Sequence, residues 1–109
     1  MRTITAIFIL CFSFQLFAGE QRGKVDALYA RASDNLHLVS LSGGNKSNSP
    51  SCATNNYWLI KDENTTTGKS QFSQLLAAKM AGKEVTIEGL NTCGRWPDGE
   101  DINLIIIRD

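Results

Sequence analysis

Residues 70–89 read SQFSQLLAAKMAGKEVTIEG, and within them the spacing of apolar residues changes once. Phe72, Leu75, Leu76, Lys79 and Met80 fall at i, i+3, i+4, i+7 and i+8, which predicts one stripe of an amphipathic helix from about Ser70 to Ala81. Gly82 follows as a stop, because a residue without a Cβ takes the left-handed conformation that ends helices. From Glu84 to Gly89 the period becomes two. Val85 and Ile87 alternate with Glu84, Thr86 and Glu88, predicting a strand with its apolar pair inward and the other three in water.

Working toward the N-terminus, Tyr57-Trp58-Leu59-Ile60 is an aromatic and β-branched run bounded by Asn56 and Lys61, and reads as a strand. Residues 62–68 are a polar loop, and residues 42–51, SGGNKSNSPS, hold no apolar side chain and read as a mobile loop. Before them, Gly23 to Ala32 alternates, with Val25, Ala27 and Tyr29 on one face and Lys24, Asp26 and Leu28 on the other. Ser33-Asp34-Asn35 supplies turn residues, and Leu36 to Leu41 completes a hairpin. After the quoted stretch, Leu90 to Asp101 is a loop with one proline and two glycines, and Ile102 to Ile107 is a strand apolar on both faces that needs cover on both sides. The succession is three strands, one helix, two strands. Five short antiparallel strands with the helix between the third and fourth predict a mainly β (β+α) fold, an OB-fold Greek-key barrel with its helix plugging one end. A flat sheet would leave Ile105 to Ile107 exposed, and barrel closure avoids that.

The first residues are Met1-Arg2-Thr3, an apolar run from Ile4 to Phe17 interrupted by Thr5, Ser13 and Gln15, and then Ala18-Gly19-Glu20. A cationic start, an apolar stretch and a small residue before a polar segment predict a secretory signal peptide over residues 1–18, cleaved after Ala18. A membrane anchor is the competing reading, but the run falls short of the roughly 20 residues that span a bilayer. Cys11 leaves with the signal. Residues 19–109 then form one domain, secreted or periplasmic. Removing Arg2 from 11 Lys and Arg leaves 10 basic against 11 acidic side chains, a formal charge of −1. That balance excludes the basic excess of a nucleic-acid-binding surface and of a polybasic membrane binder, and no membrane insertion is expected. Cys52 and Cys93 remain, an even pair bound for an oxidising compartment, and a disulfide between them is predicted.

No catalytic constellation is present: the sequence has one His, no GxSxG, no GxxxxGK and no HExxH, so a non-enzymatic protein without metal or cofactor is expected. Asp98, Glu100 and Asp101 are the nearest approach to a carboxylate pair, but acids in such a loop read first as solvated turn or capping residues. His37 reads as a packed or surface residue, and Trp58 as core or subunit contact. Trp96 stands in a loop beside Arg95, Pro97 and Asp98. An indole among polar groups either stacks on a sugar or base, or folds back over the barrel end and covers the disulfide. OB-folds bind ligands across strands two and three, between the loop joining strands one and two and the loop joining four and five. Those loops place Ser33, Asp34 and Asn35 on one side and Arg95, Trp96 and Asp98 on the other as the predicted ligand-binding set. Asn45-Lys46-Ser47 and Asn64-Thr65-Thr66 match the N-glycosylation pattern, which matters only in a eukaryotic secretory pathway.

A signal peptide, an early hairpin, a Cys before the third strand, the helix and exit QFSQLLAAKMAGKEVTIEG and a second Cys in a later loop together resemble the B-subunit family of subtilase cytotoxin and its bacterial relatives. The resemblance covers most of the mature chain and is most specific at Gly82-Lys83-Glu84-Val85. It implies an OB-fold, a homo-oligomeric ring of five subunits, binding of cell-surface glycans, and, for the toxin members, an exported catalytic subunit as partner. The segment from Cys93 to Asp101 departs from the toxin pattern, so toxin activity is not carried over. The expectation is an exported binding module for carbohydrate, with a structural or protein-interaction subunit as the alternative.

Overall fold

The structure is a computed structural model that describes residues 18–108. The predicted signal peptide, apart from Ala18, lies outside the described residues. The elements run β1 (Glu20–Arg31), β2 (Leu36–Ser42), β3 (Tyr57–Leu59), α1 (Thr66–Ala81), β4 (Glu84–Gly89) and β5 (Glu100–Ile107). The strands close into a barrel in the order β1-β2-β3-β5-β4, with β4 returning to β1. This is the predicted OB-fold-like small barrel with one helix between β3 and β4.

One pairing departs from the all-antiparallel expectation: β3 and β5 run parallel, through Trp58 opposite Glu100 and Leu59 opposite Asp101. An odd number of strands requires this. Alternating directions around a ring of five must place two neighbours in the same sense, and the long connection through α1 and β4 makes a parallel neighbour accessible. The barrel interior holds Val25, Val39, Trp58, Leu75, Ile87 and Ile102 among its buried side chains. Trp58 is therefore core, and its indole Nε1 donates to Gln21 Oε1 at 2.8 Å, which satisfies both groups out of water.

Two bulges bend the strands. In β1, Val25 pairs with Leu41 and Ala27 with Ser40, leaving Asp26 as the extra residue. In β5, Leu104 pairs with Glu88 and Ile102 with Gly89, leaving Asn103 extra. A bulge shifts the side-chain alternation by one. Beyond Asp26, Leu28 therefore packs against the core while Tyr29 is 50% exposed, the reverse of the faces the sequence predicts. Beyond Asn103, Leu104 and Ile107 stay partly in water instead of both faces being covered. Each bulge also frees a backbone carbonyl from the ladder, and α1 supplies the donor in both cases. Lys79 Nζ donates to Asp26 O at 2.9 Å and Gln71 Nε2 to Asn103 O at 3.0 Å.

The helix begins four residues earlier than its apolar spacing indicates. Thr65, within the predicted polar loop, is the N-cap: its side chain accepts from Gly68 N at 3.0 Å. Gly82 ends the helix at φ 65° and ψ 28°, as predicted, and Lys83 N donates back to Ala78 O at 3.0 Å. The buried face is Gly68, Gln71, Leu75 and Ala78, with Phe72 half-buried. Leu76 and Met80, predicted in the stripe, are 47% and 81% exposed. The face is narrower and more polar than a bundle helix would show, because α1 touches the barrel along its β1, β4 and β5 rims and reaches two carbonyls there.

This register is testable by chemical denaturation. Leu75→Ala should destabilise by about 2–5 kcal/mol, as buried Leu truncations do, whereas Met80→Ala should stay within about 0.5 kcal/mol of wild type. Equal losses would restore the apolar stripe read from the sequence.

Candidate functional site

Three loops converge at one rim: the β1–β2 turn, the β3–α1 connection and the β4–β5 loop. Asp101, fully buried in β5, organises the last of these. Its Oδ2 accepts from Thr92 Oγ1 at 2.6 Å and from Gly94 N at 2.8 Å, and its Oδ1 from Arg95 N at 3.0 Å. A carboxylate that accepts three donors imposes one conformation on the segment it binds. Glu100, also fully buried, accepts from Asn91 N at 3.0 Å. Both acids were expected to be solvated loop residues. They instead open β5, because the parallel pairing to β3 carries the strand back to residue 100.

Arg95 then ties the loops together. Its Nη2 donates to Asp34 O at 3.0 Å and Asn35 O at 3.2 Å, and its Nε to Glu63 Oε2 at 3.3 Å. Glu63 also accepts from His37 N at 3.2 Å, and His37 Nδ1 lies 3.3 Å from the same carboxylate oxygen. His37 packs edge-on against Phe72 with ring centroids 5.1 Å apart, the first of the two roles, packed or surface, that the sequence offers. Burial raises the Glu63 pKa, but hydrogen bonds from its own backbone, Arg95 and His37 outweigh burial and hold it below the ordinary carboxylate range.

The Cys52–Cys93 disulfide is formed and spans 41 residues. It joins the loop before β3 to the β4–β5 loop, as the sequence predicts, and closure of a loop this long is worth about 4 kcal/mol on the chain-entropy estimate. Asp98 reinforces the junction. Its Oδ2 accepts from Asn55 Nδ2 at 2.6 Å, its Oδ1 from the Tyr57 hydroxyl, and its carbonyl from Asn55 N at 3.0 Å. Burial and then the Asp98 hydrogen bond push the Tyr57 phenol above its usual pKa.

Of the six predicted ligand-binding residues, Arg95 meets Asp34 and Asn35 across the rim, while Asp98 and Trp96 contact other partners. Arg95, Asp34 and Asp98 are engaged in holding the loops. Asp34 is paired with Arg31 at 2.6 Å, which lowers the Asp34 pKa. Ser33 and Asn35 are exposed in the turn, where Asn35 sits at φ 56°. Trp96 is half-buried, with the Arg31 guanidinium 4.9 Å from its ring centroid.

A groove of about 460 Å³ runs along the outer face of β1, β2 and β3 and ends at Trp96. Its walls include Tyr29, Arg31, Ser40, Asn55, Asn56 and Tyr57. Sequence reading found the loops and missed this wall. The alternation read from the sequence groups Tyr29 with Val25 on one face, which the bulge at Asp26 undoes, and Asn55 and Asn56 carry no signal beyond loop composition. The groove lies where small barrels of this topology carry ligands. No family model, curated protein or solved structure matches the chain. Among the described residues no helix is long and apolar enough to cross a membrane, and no three His, Cys, Asp or Glu side chains gather as metal ligands.

The loop clamp predicts an acid-dependent loss of stability. Glu63 has a folded pKa below its ordinary value of 4.5, so its contribution is complete above that pH and disappears as the pH falls through the folded value. Glu63→Gln should cost about 1 kcal/mol at pH 7, and denaturation curves of the two proteins should converge on acidification below pH 4.5. A gap that persists in acid would remove Glu63 from this role.

Proposed function

We propose that the chain is an exported, non-enzymatic binding module, secreted or periplasmic, that takes carbohydrate in the groove ending at Trp96. The observation that carries this reading is the composition of the groove: aromatic faces at Tyr29 and Trp96 beside the amides of Asn55 and Asn56 and the Ser40 hydroxyl. Aromatic rings stack on the apolar faces of sugar rings, while fixed polar groups select hydroxyl orientation. The groove volume falls within the range of roughly 300–1,000 Å³ for small-molecule sites. The disulfide, Asp101 and Arg95 support the same reading, because loops fixed before binding lose little entropy on binding. The resemblance to toxin B subunits points to the same ligand class and adds assembly into a ring of five.

A second reading, a subunit that assembles with itself or a larger partner and has no small ligand, draws on another surface. Met80 and Leu76 on α1, with Leu104 and Ile107 on β5, leave apolar area in water.

A glycan array and light scattering separate the two. Wild type should bind a defined set of glycans, and both Trp96→Ala and Tyr29→Ala should lower that binding at least tenfold without a matching fall in melting temperature. Loss of melting temperature in step with binding for Trp96→Ala, with Tyr29→Ala binding normally, would make the indole a structural cover. An oligomer that binds no glycan would favour the subunit reading.

A further inference from the structure

Glu100 is fully buried, and its carboxylate is only half satisfied. Oε2 accepts from Gly19 N and Asn91 N, both at 3.0 Å, while no donor among the described residues reaches Oε1. No Lys, Arg or His among the described residues lies within 4.0 Å of it either. Lys46, a side-chain cation that interacts with Glu100 through space, is engaged elsewhere: its Nζ donates to Tyr57 O at 3.1 Å and lies 4.1 Å from the Trp58 ring centroid. A buried carboxylate without a cation and with one bare oxygen is destabilising unless something compensates it.

The fold makes room for this carboxylate at two glycines. A Cβ at Gly19 or at Gly89 would collide with the Glu100 carboxyl group. Gly19 is itself buried and locked in place, since Gly89 N donates to its carbonyl at 2.8 Å and Glu20 exchanges two 2.9 Å backbone bonds with Ser47. Gly19 is also the residue that follows the cleavage point read from the sequence.

We infer that the Glu100 carboxylate is a binding site for the chain's own new N-terminus, the α-ammonium of Gly19 released when the leader is removed after Ala18. This rests on the reading of the chain as an exported, processed protein. Hydrolysis by a leader-processing peptidase breaks the bond between Ala18 C and Gly19 N. Water supplies the hydroxyl that completes the Ala18 carboxyl group and a proton to the Gly19 amine. The amine takes a further proton at neutral pH, below its ordinary pKa of about 7.7–8.0. In place of one N–H the site then holds three donors and a positive charge. One donor keeps the bond to Oε2, and Oε1, beside the Gly19 Cα, receives another. Because Gly19 is buried in the closed barrel, the peptidase acts before the barrel closes, and the unprocessed chain lacks the charge that completes the fold. Stability is withheld until export has removed the leader.

The test begins with N-terminal sequencing of the exported protein, which should start at Gly19. Chains starting at Gly19 are then compared with free and with acetylated α-amines, acetylation restoring a peptide-like N–H and removing the charge. Acetylation should lower the folding equilibrium constant by about a hundredfold, and should have no effect in Glu100→Gln. If that variant does not fold, reactivity decides: the α-amine of the native wild type should react with acetic anhydride far more slowly than that of the denatured chain. A start at Met1 overturns the processing reading and this pairing together, and a start at any other residue but Gly19 overturns the pairing. A start at Gly19 with neutral acetylation, or with an amine that reacts at the denatured rate, overturns the pairing alone and leaves processing intact.

Discussion

The barrel depends on a seam of two residue pairs. β3 meets β5 only through Trp58 with Glu100 and Leu59 with Asp101, yet without that contact the sheet has two free edges and an open interior. Parallel pairing is already the weaker kind, and two pairs form a short ladder. The seam is held by what surrounds it. Trp58 is anchored through Gln21, whose Nε2 donates to Gly44 O at 2.7 Å, and Glu100 binds backbone on both sides, at Gly19 and Asn91. Leu59 is fully buried, and Asp101 binds the loop above it. The seam residues thus double as the anchor points of β1 and of the β4–β5 loop.

That coupling joins the fold to the groove. The loop bearing Trp96 is fixed at its base by Asp101, at its side by Arg95 and across the rim by Cys52–Cys93. Asn55, in the groove wall, is itself held by Asp98 through its backbone N and its side-chain amide, whereas Tyr29 is 50% exposed. Framing and recognition duties therefore meet at Asn55. Arg95 and Asp98, which composition alone marks as ligand contacts, set the frame, and Trp96 stands within it.

The order of elements was legible because it rests on changes of period and on turn composition, which tertiary packing rarely reverses. The helix stop at Gly82, the strand at Glu84–Gly89 and the disulfide needed only local chemistry and compartment. Side-chain direction was less legible. A single extra residue at Asp26 turned Tyr29 outward and Leu28 inward, and nothing in GKVDALYARA marks where the ladder slips. The helix face differs for a related reason: Gln71, outside the apolar stripe, is turned to the barrel by a carbonyl that a bulge frees, and that carbonyl exists only once the strands have paired. The acids of the β4–β5 segment were read as solvated because loop composition favours that, while their burial follows from a parallel neighbour distant in sequence.

Two fully buried carboxylates in so small a barrel need an explanation beyond stability. Replacing buried charge with well-packed apolar side chains is often neutral or stabilising. A chain shaped for stability alone would therefore gain by closing its seam with Leu or Val. What apolar residues cannot do is accept hydrogen bonds from Thr92, Gly94 and Arg95 and so give a ten-residue loop a single shape. Asp101 exchanges stability for loop geometry. That exchange has value where the loop must meet something outside the protein in a defined orientation, which ties the buried Asp101 to the reading of the groove as a recognition surface.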